Sequence, residues 1–160
     1  MASRTLKPST SLLSLANGMP LRATNGRERP AIRAAREYIE THYAEAISIA
    51  GLAALVSLSP YHFARVFGRE VGLPPHTYLE TIRIRNARQS LDRGDTVVSA
   101  ALSAGFVDQS HLTHRFKRFL GITPGKYAKR NRTRQEHSQS MSSIANHATR
   151  PSRSQGKSSG

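Results

Sequence analysis

One short stretch carries most of the side chains in this chain that could do chemistry. Gln109, Ser110, His111, Thr113, His114 and Lys117 lie within QSHLTHRFKR, between Asp108 and Gly121. Amide, hydroxyl, imidazole and ammonium groups donate hydrogen bonds to base edges and phosphate oxygens. They are poorly placed for catalysis. No nucleophile stands beside a base, no carboxylates pair at a useful spacing, and no glycine-rich phosphate loop occurs. His111 and His114, at i and i+3, could supply two metal ligands, but no third ligand has a fitting spacing. The residues therefore predict recognition chemistry, with no enzyme activity, no metal and no cofactor.

These side chains need a helix to hold them. Leu112, Phe116 and Phe119 form its apolar stripe. The Asp108 carboxylate can accept the free amide protons of the first turn. Gly121 ends the helix, and Pro124 lies three residues beyond. Just upstream, Val97, Ala100, Ala101 and Ala104 recur at helical spacing until Gly105 breaks the pattern. A small helix, a glycine turn and a polar, basic second helix read as a helix-turn-helix over about 97–120. Gln109 reads as a neighbour of the cap rather than a contact.

The stretch has an earlier partial copy. Phe67, Gly72, Pro75 and Tyr78 match Phe116, Gly121, Pro124 and Tyr127, each at an offset of 49. Ahead of the turn the offset falls to 48, pairing Ala53 with Ala101 and Leu58 with Phe106, so the second turn holds one extra residue. The copy defines a first helix-turn-helix over about 50–71. Ser59 caps its second helix and Pro60 takes the first helical position. Phe63, Val66 and Phe67 face inward, leaving Tyr61, His62, Ala64, Arg65 and Arg69 on other faces. His62 and His111 stand at equivalent places, as structural hydrogen-bonding residues or as phosphate contacts.

Between the units, Pro74-Pro75 precedes a helix from His76 to about Arg93, ended by Gly94. Tyr78, Leu79, Ile82, Ala87 and Leu91 supply its apolar side. About 18 residues at ~1.5 Å rise give a rod of roughly 27 Å. Successive major-groove faces on one side of DNA lie ~34 Å apart, so such a rod lets one chain address two groove segments. Arg83, Arg85 and Arg88 on the rod have Glu37, Glu40, Glu70 and Glu80 as possible partners. Ahead of the first unit, Pro30 starts a packing helix with Ile32, Ala35, Ile39 and Tyr43 as its stripe.

Bulk properties agree. The 160 residues hold 24 Lys and Arg against 10 Asp and Glu, a net charge of +14, which favours a polyanionic partner. The excess is +4 over residues 1–29, +4 over 30–128 and +6 over 129–160, so most of it sits in the ends. There are no cysteines, which excludes disulfides and thiolate chemistry and fits a reducing cytoplasm. No apolar run approaches the ~20 residues needed to span a bilayer, and no membrane partner is expected. Residues 1–29 read as a disordered basic segment with one short helical turn around Leu12–Leu15. Residues 130–160, rich in Ser, Arg, Asn and Gln, read as a disordered basic tail. The folded unit is residues 30–129, with Phe63, Phe67, Tyr78, Phe106, Leu112, Phe116, Phe119 and Tyr127 in its core.

The second-half pattern GFxDQSHLxxxFKRxxGxTPxxY, with Leu52-Ala53, Ser59-Pro60, His62-Phe63, Arg65, Tyr78-Leu79, Arg83 and Ala87, resembles the AraC/XylS-type DNA-binding domain across the whole folded unit. The resemblance implies an all-α fold of about seven helices, with two helix-turn-helix subdomains joined by a long linker helix. It implies a bacterial transcription regulator of double-stranded promoter or operator DNA; many members of the family activate transcription by contacting RNA polymerase beside the promoter, and activator and repressor both stay open for this chain. Carried over by position, Tyr61, Ala64 and Arg65 would face bases in the first unit, with Ser59 and His62 nearer the backbone. Arg65 can grip a guanine edge with its fork, whereas Ala64 could touch little more than a thymine methyl. Ser110, His111, Thr113 and His114 would face bases in the second unit, with Lys117 toward phosphate. His114 stands where the family usually has Arg, and Arg115 points ~100° away around the helix.

Larger relatives in this family carry a sensor or dimerising domain ahead of the DNA reader. The chain then reads as a stand-alone reader, or as the C-terminal part of a longer gene with SLLSLANG as a frayed end. No small-molecule ligand is expected. Two other readings compete: a non-specific nucleic-acid or nucleoid binder driven by the basic ends, and a truncated competitor of a full-length regulator.

Overall fold

Proline and short oxygen-bearing side chains start most of the helices. The computed structural model describes residues 29–147, and the expected helical turn at Leu12–Leu15 and the rest of residues 1–28 lie outside that range. Seven helices fill the described residues, with no strand: α1 Pro30–His42, α2 Ile49–Leu55, α3 Pro60–Val71, α4 Pro75–Asp92, α5 Val97–Ser103, α6 Gln109–Leu120 and α7 Pro124–His147. Pro30, Pro60, Pro75 and Pro124 each take the first helical position, where a missing N–H costs nothing. Pro75 thus belongs to the linker helix rather than ahead of it. Ser48, Ser59, Thr96 and Asp108 accept amide protons from Gly51, His62, Ser99 and His111, at 2.9, 3.3, 3.1 and 2.7 Å. Gly72 and Gly121 close α3 and α6 in the left-handed conformation.

The repeat is a structural one. Helices α2 and α5 have seven residues each, and α3 and α6 have twelve. The chain bends by 86° between α2 and α3, as a helix-turn-helix requires. In each unit a phenylalanine meets the tyrosine of the next helix edge-on: Phe67 with Tyr78 and Phe116 with Tyr127, both at 5.6 Å between ring centres. Each tyrosine hydroxyl donates to a carboxylate from the helix before its unit. Tyr78 donates to Glu40 of α1, and Tyr127 to Asp92 of α4 at 2.7 Å. Burial and the facing Glu40 push the Tyr78 phenol pKa well above its ordinary value, which keeps it a donor.

Helix α4 serves both cores, which corrects the expectation of one apolar side. Tyr78, Leu79 and Ile82 enter the first cluster, with Ile39, Phe63 and Phe67. Ile84, Ala87 and Leu91 enter the second, with Leu112, Phe116 and Phe119. At ~100° per residue the two sets lie on opposite sides of the helix. For the second unit α4 is therefore what α1 is for the first. Two of its arginines find partners besides the glutamates considered above. Arg83 donates to the carbonyls of Tyr43 and Glu45, both at 2.7 Å, and Arg88 donates to the Tyr127 hydroxyl at 2.9 Å. Glu70 pairs instead with Arg29, and Glu40 with Arg36.

The tail departs from expectation as well. Residues 131–147 continue α7 rather than forming the start of a disordered segment. No glycine or proline interrupts Lys126 to His147. Asn131 donates to the Asp92 carboxylate, and Gln135 to the Asp92 carbonyl at 3.2 Å, tying successive turns of α7 to the end of α4. Residues 148–160 lie outside the described range. Among the described residues no single helix is long and apolar enough to cross a membrane.

Candidate nucleic-acid interface

The inward stripes of α3 and α6 decide what their outward faces offer. Phe63, Val66 and Phe67 pin α3, leaving Ser59, Tyr61, His62 and Arg65 exposed and Ala64 half-buried. Tyr61 is 79% exposed, a large ring with no core role. Leu112, Phe116 and Phe119 pin α6, leaving Ser110, His114 and Lys117 exposed and His111 and Thr113 half-buried. No side chain among the described residues pairs with Arg65, His114 or Lys117, so these groups face solvent with their donors free. Arg65 and His114 are equivalent positions of the repeat, 49 residues apart.

The candidate residues are not all alike. Ser59 Oγ is occupied as a cap acceptor, but its hydroxyl proton is free to donate outward. His111 packs edge-on against Phe106 at 5.3 Å between ring centres, so its ring braces the second turn. His62, its counterpart, is exposed. Arg115 turns back from α6 and pairs with Glu80 of α4 at 3.2 Å. It does not stand in for an arginine at position 114.

Helix α7 adds a basic face that the sequence reading missed by treating the segment as unstructured. Lys126, Lys129, Arg130, Arg134 and His137 share one exposed side of it. The signal was their i, i+3, i+4 spacing. Among the described residues no group of His, Cys, Asp and Glu could hold a metal ion.

A helix-turn-helix domain family model matches residues 52–130, spanning both α3 and α6. The HTH-type transcriptional regulator YbfI of Bacillus subtilis, itself uncharacterised, is 42% identical over 76 residues, which is 48% of this chain and 28% of YbfI. Across three such curated relatives the chain spans 23 to 32% of their length. A probable AraC family transcriptional regulator from Rhodopseudomonas palustris is 30% identical, with a TM-score of 0.58, over 64% of this chain and 98% of that one. The DNA-binding domain of AdpA, solved in complex with a target DNA, is 28% identical with a TM-score of 0.64, over 68% of this chain and 98% of that one. With this sequence match and seven helices in this order, the chain belongs to the AraC/XylS family of transcription regulators and carries that family's DNA-binding domain.

Proposed function

We propose that the chain reads two adjacent major-groove segments of a promoter, using α3 for one and α6 for the other, and activates transcription beside RNA polymerase. One observation carries this reading: two repeat-related helices, each with free polar side chains on its outward face, sit on either side of the 18-residue α4. Base contacts are assigned to Tyr61, Ala64 and Arg65 in the first unit and to Ser110, Thr113 and His114 in the second. Ser59, His62 and Lys117 take phosphates, and His111 takes at most a backbone contact because its ring is engaged with Phe106. The DNA complex of the similar AdpA domain supports the same use of this one.

The test is a selection of bound sequences from random double-stranded DNA, using the full chain at near-physiological salt. The expected outcome is two short boxes about one helical turn apart. No enriched sequence, together with binding that collapses steeply as salt rises, would overturn the reading. The basic face of α7 favours that second reading, a phosphate-driven binder without sequence preference.

A related prediction concerns the weaker unit. His114→Arg restores a charged fork at the position equivalent to Arg65. It should tighten operator binding about fivefold or more, with the gain confined to the second box. Competition titrations against operators mutated in either box would show it, and an equal gain on both would argue for plain added charge.

A further inference from the structure

Both turns of the repeat place a residue in the left-handed region, but with different residue types. In the first turn it is Ser57, at φ 56°. In the second it is Gly105, at φ 79°. The two are equivalent, 48 residues apart. Serine at the first shows that this turn tolerates a side chain. Glycine at the second has a separate cause. A Cβ on Gly105 would lie 2.7 Å from both the Ala44 Cα and the Ala44 carbonyl oxygen, backbone atoms that cannot swing away. Ala44 belongs to the other unit, in the loop between α1 and α2.

The same loop is held from a second side. The Arg83 guanidinium, midway along α4, donates to the carbonyls of Tyr43 and Glu45, the residues flanking Ala44. Burial draws the Arg83 pKa below its usual value, while Glu80 opposes that. A third tie crosses nearby, from Arg115 of α6 to Glu80 of α4. Linker, first-unit loop and second-unit turn therefore meet at one point.

We propose that Arg83, the loop Tyr43–Glu45 and Gly105 form a latch that fixes the angle between α3 and α6, and so sets the spacing of the two boxes the chain accepts. These residues determine specificity without touching DNA. The spacing claim rests on the two-box reading above. The latch itself does not, because it is a statement about the free protein.

Two readouts on the full chain separate the claims. The chain has no cysteine, so Arg69→Cys and Arg118→Cys, both exposed and outside the proposed base contacts, accept spin labels on α3 and α6 cleanly. The distance distribution between the labels should be narrow, and should broaden in Arg83→Gln and in Gly105→Ala. The second readout is affinity for operators with one to three base pairs inserted between the boxes. One inserted pair turns one box by about 35° around the duplex relative to the other. The parent should lose about tenfold or more per insertion, comparable to a mismatched base pair, whereas the variants should show a flattened preference. Arg83→Gln carries the test if Gly105→Ala fails to fold, as judged by its thermal melt. An unchanged label distribution in folded variants overturns the latch, whatever the DNA data say. A broadened distribution with the spacing preference intact overturns its role in specificity. A parent with no spacing preference overturns the two-box reading and the spacing claim together, while the label distances still report on the latch.

Discussion

Phe67→Ala and Phe116→Ala should each lower the unfolding free energy of the chain by about 3–5 kcal/mol. Both rings are fully buried and meet a tyrosine edge-on, so truncation removes packing from two sides and leaves a cavity that the neighbouring helices cannot close. Domains of this kind have about 5–15 kcal/mol to lose, so either variant should be marginal at physiological temperature. Urea and thermal melts would measure it. The shape of the transition matters as much as its midpoint. Because α4 supplies residues to both clusters, unfolding one unit strips a wall from the other. A single transition should shift in both variants. Two transitions, with only one displaced by each substitution, would show units that fold independently and contradict the shared role of α4.

Arg65→Ala should weaken binding to the selected operator by about 1–3 kcal/mol, roughly 5- to 150-fold, and relax selectivity at one base pair of the first box. The reason is geometric: Arg65 is exposed, unpaired among the described residues and carried on a helix locked by Phe63 and Phe67. Lys117→Ala is the control. As a proposed phosphate contact it should weaken all sequences alike and reduce the slope of log affinity against log salt by about 0.9. Fluorescence anisotropy against the operator and its single-base variants, at several salt concentrations, distinguishes the two. Equal losses on every sequence for Arg65→Ala would remove it from base reading.

What the sequence determined by itself was local. Ser59 and Asp108 as caps, with Pro30 and Pro60, marked where three of the helices begin, because a cap is a bond between a side chain and an amide three residues away. Apolar spacing marked which faces turn inward, and with them the outward faces that carry Arg65 and His114. The offset of 49 exposed a duplication, since Phe, Gly, Pro and Tyr landmarks must recur when the same packing problem is solved twice. Family membership was legible for the same reason. Tertiary structure alone decided the rest. That α4 is buried on two opposite sides needs both units present, and a single-face reading of Tyr78 to Leu91 cannot distinguish it. The partners of Tyr78, Arg83 and Tyr127 lie 35 to 40 residues away in the chain. The continuation of α7 rests on Asn131 and Gln135 meeting Asp92, so composition alone underestimated its order. Gly105 shows the division most clearly. Sequence could say only that Gly105 breaks the helical pattern; the left-handed backbone at 57 and 105, and the approach of Ala44 from the other unit that lets serine suffice at position 57 but requires glycine at 105, are visible only in the fold.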